Sequence, residues 1–315
     1  MHIAMGVSEF DLANVPTVVT IGNFDGVHRG HQFVLQKTIL QADARSAASV
    51  VLTFDPHPAL VHRPGTAPAM LTGLKDRLEL IAAEGIDATL VIDYSLEFAQ
   101  LTPREFIETY VVGTLHAVAV VIGRDVRFGK DNCGDLATLQ ELGAEFGFDV
   151  VIVDDFGAPE GGERWSSSVV RQLVFSGEMI AVTALLGRPH RIRGEVVHGD
   201  ARGREMGFPT ANMSQTSDGM IPADGVYAGW VSVVGGARAL QKMPAAISIG
   251  TNPTFEGQQR RVESYVIDRK GLELYGEEVI VEFEQRLRPT LTFDSMETLI
   301  VQMNEDVERA RLLLR

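Results

Sequence analysis

Two histidines in a glycine-rich segment form the clearest cluster of residues that could do chemistry. Residues 21–31 read IGNFDGVHRGH, so His28 and His31 are three positions apart. On a helix this spacing places both imidazoles on one face, and the first turn of a helix offers free N–H groups that bind phosphate. The imidazoles can then donate hydrogen bonds to phosphate oxygens as negative charge grows on them. The alternative interpretation is a pair of solvated histidines beside an ordinary turn.

The residues around this cluster predict a strand-to-helix turn. The β-branched run at residues 17–20 is typical of a buried strand, and residues 32–44 carry apolar side chains at helical spacing. Gly22, Gly26 and Gly30 allow the backbone to bend tightly and to approach a ligand closely. The position of the cluster between a strand and a helix favours the phosphate-binding interpretation.

The whole first half of the chain alternates predicted strands with predicted helices. Strands are expected at residues 17–20, 49–54, 88–92, 117–122 and 150–153, and helices at residues 32–44, 71–84, 135–146 and 177–186, with one more starting at Thr102 and Pro103. Apolar strands in such an alternation predict a parallel sheet covered by helices on both faces. Ligands of these sheets bind beyond the carboxyl ends of the strands.

Two loops that follow strands carry side chains suited to a nucleotide or a flat ring. In the first, Pro56 and Pro58 stiffen the chain, and Phe54 can pack on a flat ring. A rigid turn is the alternative interpretation of that loop. In the second, Asp125 and Arg127 are candidates for contact with a ribose or a phosphate, and a solvated loop is the alternative.

A third loop, at residues 165–171, places three serines at the start of a predicted helix. Hydroxyls in this position can cap the helix. Alternatively, Ser167 and Ser168 can bind a β,γ-diphosphate together with Arg171, which follows one turn later.

The second half of the chain has a different pattern, which begins after Gly187-Arg188-Pro189. Short runs of alternating residues occur at 191–197, 226–234, 245–249, 262–268 and 278–284, separated by turn residues. Regular short strands without intervening helices predict an antiparallel sheet or barrel. One last helix, from about residue 294, has an apolar stripe that can pack on this sheet.

A second cluster of glycines and small polar residues lies in this half. Gly199, Gly203 and Gly207 can form a loop that wraps around phosphates. Thr210 and Asn212 follow and supply neutral oxygens, which suit a Mg²⁺ ion that keeps its waters and phosphate ligands. A barrel hairpin with polar turn residues is the alternative interpretation.

Glu263 is the candidate base of the second half. It lies on a predicted strand and shares one face with Tyr265 and Ile267. A carboxylate that faces inwards with apolar neighbours, as we expect here, is unusual unless it is paired or used chemically. A glutamate on the exposed face of a strand is the alternative interpretation.

Length and composition limit the kinds of protein that this chain can be. It has 315 residues, 45% hydrophobic and 22% charged, which is typical of a globular protein with two domains. The net charge of −14 argues against non-specific binding of nucleic acid or of an acidic membrane. Cys133 is the only cysteine, which excludes an intrachain disulfide. With no leader pattern and no apolar run of membrane-spanning length, the sequence predicts a cytoplasmic protein whose partners are small molecules; its oligomeric state is not predicted.

Both clusters resemble the motifs of one enzyme family. NFDGVH at residues 23–28 resembles the signature of nucleotidyltransferases related to class I aminoacyl-tRNA synthetases, in the form found in bacterial bifunctional riboflavin kinases/FAD synthetases. Residues 194–212 resemble the riboflavin kinase signature of that family, and SSSVVR at residues 166–171 and NPTF at residues 252–255 also match it. The resemblance extends from about residue 18 to residue 311 and implies two domains, residues 1–186 and 187–315.

The resemblance implies both a fold and two reactions. The fold would be an α/β nucleotidyltransferase domain with a Rossmann-like parallel sheet, followed by an antiparallel β-barrel riboflavin kinase domain with a C-terminal helix. The second domain would phosphorylate riboflavin with ATP to give FMN. The first would adenylylate FMN with ATP to give FAD and pyrophosphate, and both reactions would need Mg²⁺.

Roles for individual residues also follow from the resemblance. His28, His31 and Arg171 would be catalytic groups of adenylyl transfer, and Glu263 would be the general base of the kinase. Thr210 and Asn212 would hold Mg²⁺. The remaining contacts to nucleotide and flavin would be Gly22, Asn23, Phe24, Asp25, Gly26, Phe54, Pro56, Pro58, Asp125, Arg127, Ser167 and Ser168 in the first domain and Gly199, Gly203, Arg204, Gly207, Phe208, Pro209 and Asn252 in the second.

The sequence departs from the family pattern at a few positions. Val126 stands where an aromatic residue is usual, Ser168 where threonine is usual, and His190 where an aromatic residue is usual. The first two departures leave open an enzyme that retains only one of the two activities. A flavin- or nucleotide-binding regulator is a further alternative, and the acidic charge disfavours a tRNA-binding relative.

Overall fold

We describe the protein from a computed structural model. The described residues are 1–12, 15–154, 165–199, 203, 206–235, 242–254, 257–269 and 271–315, without the side chains of residues 252–254 and 257–259. Within these ranges the chain forms two compact units. The first unit contains Met1–Pro68 and Leu74–Ser166, and the second contains Ala69–Gly73 and Ser167–Arg315.

The first unit is built on a six-stranded parallel sheet. Its strands are β1 (His2–Ala4), β2 (Thr17–Ile21), β3 (Ala48–Asp55), β4 (Ala88–Asp93), β5 (Ala117–Gly123) and β6 (Asp149–Val153). They are arranged in the order β1-β4-β3-β2-β5-β6, and every neighbouring pair is parallel. The central strands are buried along most of their length, as expected for a sheet covered on both faces. This confirms the predicted Rossmann-like sheet.

The strand order places a ligand crevice beside β2. After β2 the chain first adds strands on one side of it, and β5 then returns to its other side. Ligands of open α/β sheets bind in the crevice at such a reversal, outside the carboxyl ends of the strands. The loops after β2 and β5 are therefore the ones that the topology brings together.

Helices of the first unit connect these strands. They are α1 (Arg29–Arg45), α2 (Pro58–His62), α3 (Leu74–Ala83), α4 (Pro103–Phe106) and α5 (Leu136–Phe146), and α4 continues as a π-helical segment, Ile107–Thr114. Thr102 and Glu105 form a reciprocal capping box at the start of α4, which explains the helix start predicted there. α1 ends at Ser46 in the left-handed conformation, and α5 ends in the same way at Gly147.

The second unit is a closed antiparallel barrel of six strands. They are β7 (His190–Val197), β8 (Ala211–Met213), β9 (Gly225–Val233), β10 (Met243–Thr254), β11 (Gly257–Val266) and β12 (Glu278–Arg288). Around the barrel they follow the order β10-β11-β8-β7-β12-β9. This confirms the predicted antiparallel barrel.

The interior of the barrel is a packed apolar core. Successive residues of a strand point to opposite faces, so Ile247 and Ile249 of β10 and Val262 and Val266 of β11 belong to one buried cluster. The residues between them, such as Tyr265, belong to a separate outer cluster. Because side chains fill the barrel, a ligand of this unit has to bind on its outer surface.

Three longer helices complete the second unit within the residues that the structure describes. They are α6 (Ser167–Ser176), α7 (Met179–Leu186) and α8 (Met296–Leu313). α8 packs Val307, Ala310 and the following Leu314 in the outer cluster of the barrel, together with Phe208 and Leu287. α8 is the predicted C-terminal helix. No helix in the described part of the chain is long and apolar enough to cross a membrane.

The compact units do not divide at the position where the composition changes. α6 and α7 precede residue 187, yet Val170, Val174 and Met179 are buried in the same cluster as the barrel interior. The units therefore separate between Ser166 and Ser167. The division into domains 1–186 and 187–315 was made from sequence patterns, and it stays a prediction.

Candidate active sites

The turn between β2 and α1 contains an unusual run of left-handed backbone. Phe24 has φ 50°, Gly26 φ 80° and Val27 φ 37°. Non-glycine residues rarely adopt positive φ, and such strain is common at functional sites. The turn folds its own side chains inwards, because Phe24, Asp25 and Val27 are all buried. The backbone is thus held rigidly at the end of the central strand.

His28 caps α1 rather than lying on its first turn. Its Nδ1 accepts a hydrogen bond from the backbone N–H of His31 at 3.4 Å. The helix consequently begins at Arg29, three residues earlier than the predicted start at Gln32. Because Nδ1 is an acceptor, a neutral His28 carries its proton on Nε2, where it can be donated to a ligand.

The two histidine rings are stacked on each other. Their centroids are 3.7 Å apart and their planes differ by 21°. His28 is 5% exposed, and the edge of Phe24 packs against His31 with centroids 5.2 Å apart. A Cβ atom at Gly30 would lie 3.1 Å from the His28 ring, so a larger residue there would press on the stack. The structure therefore brings the predicted pair together and fixes its orientation.

Arg77 of α3 contacts the same turn and was not predicted. Its Nη1 donates to the carbonyl oxygen of Asn23 at 3.1 Å, and its Nη2 donates to the carbonyl oxygen of Phe54 at 2.8 Å. Burial lowers the pKa of Arg77, and the carboxylates of Asp55 and Asp25 partly offset this effect. The available signal was a charged residue within the predicted helix at residues 71–84, where Leu78 and Ile81 are also buried.

A cavity of about 230 Å³ opens beside the β2–α1 turn. Five of the predicted site residues line it, namely Gly22, Asn23, Phe54, Pro58 and Arg127, and so does Val126. Much of the remaining wall is aromatic and was not predicted: Tyr94, Phe98, Phe106 and Phe128. The Phe54 ring lies 5.7 Å from that of Tyr94 and 5.8 Å from that of Phe98. The cavity is suited to a flat aromatic ligand.

The other predicted residues of these loops lie outside the wall of the cavity. Asp125 and Arg127 are both exposed, but only Arg127 lines the cavity. Pro56 follows Asp55 through a cis peptide bond, in the turn before α2. His57 caps α2 by accepting a hydrogen bond from the N–H of Ala59 at 3.0 Å. The loop after β3 therefore forms a capped turn, which agrees with the alternative interpretation of this loop. Phe54, just before the turn, lines the cavity.

Ser167 and Ser168 occupy the first turn of α6, as expected. Arg171 lies one turn later, and its Nε donates to the carbonyl oxygen of Ala69 at 2.8 Å. All of these residues belong to the second compact unit. Their role at a diphosphate stays a prediction.

The second unit has a larger cavity, of about 380 Å³, between the outside of the barrel and α8. Five residues named from the sequence line it: Gly203, Phe208, Thr210, Asn212 and Glu263. Residues that were not predicted complete the wall, among them Arg261, Tyr265, Arg288, Leu299, Met303 and Asp306. Glu263 shares its face of the strand with Tyr265 and Ile267, as predicted, but that face points outwards, so the expectation that the carboxylate faces inwards is wrong.

The polar end of this cavity is formed by three side chains. Thr210 Oγ1 donates to Glu263 Oε2 at 3.2 Å, and Asn212 Nδ2 lies 3.4 Å from Thr210 Oγ1. The short strand β8 creates this arrangement by placing Asn212 opposite Glu263 on β11. A Cβ atom at Gly199 would lie 2.5 Å from Asn212 Cγ, so only glycine allows the chain to pass so close. Hydroxyl, amide and carboxylate oxygens form a donor set of the kind that Mg²⁺ prefers.

The remaining predicted contacts of this unit lie elsewhere. Gly207 has φ 88° in the turn before Phe208. Pro209 lines a separate small cavity of about 50 Å³. Arg204 lies outside the described residues, and so does the side chain of Asn252. In the described part of the chain no group of three or more His, Cys, Asp and Glu side chains could hold a metal ion.

An ion pair holds α8 against the barrel at the edge of the cavity. Arg288 donates Nε and Nη2 to Asp306 Oδ2 at 3.0 and 2.7 Å. The Arg288 side chain is 13% exposed and the Asp306 side chain 4% exposed. Since both residues line the cavity, this buried pair fixes one of its walls.

Comparisons with known proteins match the two halves of the chain separately. The family described as FAD synthetase matches residues 11–169, and the family described as riboflavin kinase matches residues 186–314. The bifunctional riboflavin kinase/FMN adenylyltransferase of Escherichia coli (strain K12) is 38% identical over 294 residues, which are 93% of this chain and 91% of that protein. The protein of the same name from Listeria monocytogenes is 37% identical over 300 residues, which are 95% of this chain and 92% of that protein.

One solved structure has the same fold over nearly the whole length. It is described as a macrolide-efflux protein from Streptococcus pneumoniae, is 32% identical in sequence and superimposes with a TM-score of 0.87. The similarity covers 98% of each chain.

Proposed function

The chain belongs to the family of bifunctional riboflavin kinases/FMN adenylyltransferases, and from that premise we propose which residues carry each reaction. The enzyme phosphorylates riboflavin with ATP to FMN and adenylylates FMN with ATP to FAD and pyrophosphate. We assign adenylyl transfer to residues 1–186 and the kinase to residues 187–315. Under this assignment the protein catalyses both reactions. We do not adopt the alternative of a flavin- or nucleotide-binding regulator without catalysis.

The kinase reaction is proposed to take place in the 380 Å³ cavity. The isoalloxazine ring would pack on the apolar wall formed by Tyr265, Leu299 and Met303, with the ribityl chain directed towards Glu263. Glu263 removes the proton of the 5′-hydroxyl, whose oxygen attacks the γ-phosphorus of ATP while the bond to ADP breaks. The observation that carries this proposal is the hydrogen bond from Thr210 Oγ1 to Glu263 Oε2, at the end of the cavity where Asn212 also lies.

Mg²⁺ is proposed to bind at the same end of this cavity. Thr210 and Asn212 would hold it, because their neutral oxygens leave most of its coordination to phosphate and water. When bound, the ion neutralises negative charge on the transferred phosphate. The glycines at positions 199, 203 and 207 would wrap the phosphates, with Arg204, Phe208, Pro209 and Asn252 as further contacts.

The kinase assignment predicts separable activities. Glu263→Ala should abolish FMN formation from riboflavin, because it removes the base proposed to accept the proton of the 5′-hydroxyl. It should leave FAD formation from supplied FMN intact. Both products can be measured by chromatography of the flavins from one preparation. Retained kinase activity in this variant would reject Glu263 as the base.

Adenylyl transfer is proposed to take place at the β2–α1 turn. ATP would bind with its phosphates against the start of α1, where the backbone N–H groups, His28 and His31 donate hydrogen bonds. An oxygen of the FMN phosphate attacks the α-phosphorus, and pyrophosphate leaves. We place Asn23 and Asp25 in the turn that shapes this site, with Gly22, Phe24 and Gly26. The supporting observation is the stacked pair of imidazole rings at the start of α1, where His28 also caps the helix.

The flavin of FMN is proposed to occupy the aromatic cavity next to this turn. Phe54 and Pro58 would contact the ring, Arg127 a phosphate or ribose, and Pro56 and Asp125 the edges of the site. Ser167, Ser168 and Arg171 would hold the departing pyrophosphate. Val126 lines this cavity in place of the aromatic residue that is usual in the family, so its aromatic wall would come from Tyr94, Phe98, Phe106 and Phe128 instead. Because both reactions consume ATP, we propose the cytoplasm as the place where the enzyme acts.

The adenylylation assignment predicts the reverse separation of activities. His31→Ala should abolish FAD formation and leave FMN formation unchanged, because His31 belongs to the first unit and the residues proposed for the kinase belong to the second. The same chromatographic assay measures both reactions. Unchanged FAD synthesis in this variant would remove His31 from the site.

A further inference from the structure

Arg77 joins two loops of the first unit through its backbone contacts. The residue is 3% exposed, and its guanidinium donates to the carbonyl oxygens of Asn23 at 3.1 Å and Phe54 at 2.8 Å. Asn23 belongs to the turn that carries His28. Phe54 belongs to the end of β3 and lines the aromatic cavity. One side chain therefore sets the separation between the two loops.

Two carboxylates face the same guanidinium. Asp55 Oδ1 lies 3.5 Å from Arg77 Nη2. Asp25, which is 2% exposed, also attracts the guanidinium electrostatically. Arginine keeps its charge even when it is buried. A neutral residue at position 77 would leave the Asp25 carboxylate buried without this compensation.

Packing alone does not call for an arginine at this position. Burial of a charge costs free energy, and an apolar side chain of similar length could fill the same space without that cost. Arg77 Nε is buried and donates to no acceptor among the described residues. The hydrogen bonds that Arg77 does make go to carbonyl oxygens at the ends of two strands, which is the edge where the ligand crevice lies.

We propose that Arg77 is a positioning residue for adenylyl transfer, which holds the ATP-binding turn and the FMN-binding end of β3 in register. The inference rests on the proposed binding of ATP at His28 and His31 and of FMN in the aromatic cavity. The attacking phosphate and the phosphorus that it attacks are held by different loops. A change in the separation of the loops therefore moves the reacting atoms apart, and a misplacement of 1 Å costs about 10²-fold in rate.

The test compares Arg77→Met with Arg77→Lys in the full-length protein. Methionine fills the space but makes neither hydrogen bond and carries no charge, so kcat/KM for FAD formation should fall about 100-fold. KM should rise for both ATP and FMN, because both loops lose their anchor. Lysine keeps the charge but has a single nitrogen where arginine uses two, so its rate should lie between those of Arg77→Met and the wild type. FMN formation by the same preparations should not change.

Two further variants serve as controls. Arg45→Met removes an ion pair with Asp149, 2.8 Å long, at the far end of α1, and should leave both activities unchanged. His31→Ala tests the proposed ATP site itself. If His31→Ala loses FAD formation and Arg77→Met stays within threefold of the wild type, the positioning role is refuted while the site stands. If His31→Ala keeps its activity, the proposed site fails instead.

KM values measured alongside thermal unfolding separate a positioning role of Arg77 from a role in stability alone. A residue needed only for folding lowers the amount of active enzyme and leaves KM unchanged in the fraction that folds, and that result would refute the proposal. If Arg77→Met yields no folded protein, Arg77→Gln takes its place, since glutamine is polar and can donate to one of the carbonyls. It should show the same increase in both KM values, and unchanged KM values would overturn the inference.

Discussion

The buried ion pair between α8 and the barrel offers the sharpest test of the energetics. We consider Asp306→Asn, which keeps the shape of the side chain and removes its charge. In the protein, Asp306 accepts three hydrogen bonds from Arg288, at 2.7 to 3.0 Å, and the aspartate side chain is 4% exposed. The substitution leaves the Arg288 guanidinium, itself only 13% exposed, without a counter-charge.

The expected cost follows from burial. Removing one partner of a buried ion pair typically destabilises a protein by about 3–5 kcal/mol, because the other charge stays buried and uncompensated. Asparagine can still accept one hydrogen bond from Arg288, so we expect the lower end, about 3 kcal/mol. A loss of that size is a large share of the stability of a domain, which is about 5–15 kcal/mol. α8 should loosen first, since the pair is one of its attachments to the barrel.

A matched control lies on the same helix. Arg311 of α8 makes a similar two-nitrogen contact with Asp268, at 3.1 and 2.8 Å. There the aspartate side chain is 70% exposed, and such pairs contribute about 0.2–1 kcal/mol. Asp268 has φ 59°, a conformation that asparagine tolerates well, so Asp268→Asn should not strain the backbone. The two substitutions differ in burial and also in that Arg311 keeps a second partner, Glu308.

The assay is urea unfolding of the barrel followed by tryptophan fluorescence. The chain has 2 tryptophans, so a Trp165→Phe background leaves Trp230 of β9 as the reporter. The unfolding midpoint should fall strongly for Asp306→Asn and only slightly for Asp268→Asn, and KM for riboflavin should rise only for the former, because Asp306 lines the cavity. Equal shifts of the midpoint in the two variants would refute the argument from burial.

Three further predictions concern Gly199, Tyr227 and the proposed metal ion. Gly199→Ala would bring a Cβ to 2.5 Å from Asn212 Cγ, so FMN formation should fall roughly tenfold or more while FAD formation from FMN is unchanged; equal kinase rates would show that Asn212 need not stay in place. Burial raises the pKa of Tyr227 to about 12, so the stability that its protonated form contributes is fully present below about pH 10 and is lost as the pH rises towards 12. Tyr227→Phe should flatten that part of the stability profile, and an unchanged profile in alkaline urea titrations would contradict this. Removal of divalent cations with a chelator should stop both reactions and Mg²⁺ should restore them; activity that survives chelation would reject the proposed metal.

The periodic parts of the fold could be predicted from sequence, and the short strands could not. β2, β3 and β5 are apolar runs long enough to stand out, and their alternation with helices predicted the parallel sheet correctly. β1 and β8 have three residues each, too few for any periodicity to be visible. β8 matters for the proposed kinase site because its pairing with β11 places Asn212 opposite Glu263.

The candidate sites were predicted where residue type and loop position coincided. His28 and His31 follow a predicted strand, Glu263 lies on one, and Thr210 and Asn212 follow a glycine-rich run. The structure brings these residues together in two groups. Side chains that act from elsewhere gave no such signal. Arg77 and Asp306 lie on helices, where an isolated charge is usually a solvated one, and only tertiary packing shows that both are buried.

The two proposed sites carry different chemical groups because their nucleophiles differ. The phosphate of FMN is already an anion near pH 7, so its attack on ATP requires no base, and hydrogen-bond donors such as the stacked histidines suffice to offset the growing charge. The 5′-hydroxyl of riboflavin has to lose a proton during attack, so the second site requires a carboxylate within reach of the hydroxyl. The first unit accordingly presents imidazoles and backbone N–H groups at a helix start, whereas the second presents Glu263 beside neutral oxygens. Glu263→Gln keeps the shape of the side chain but removes the basic oxygen, so we expect it to lose kinase activity, and retained activity would show that no carboxylate base operates there.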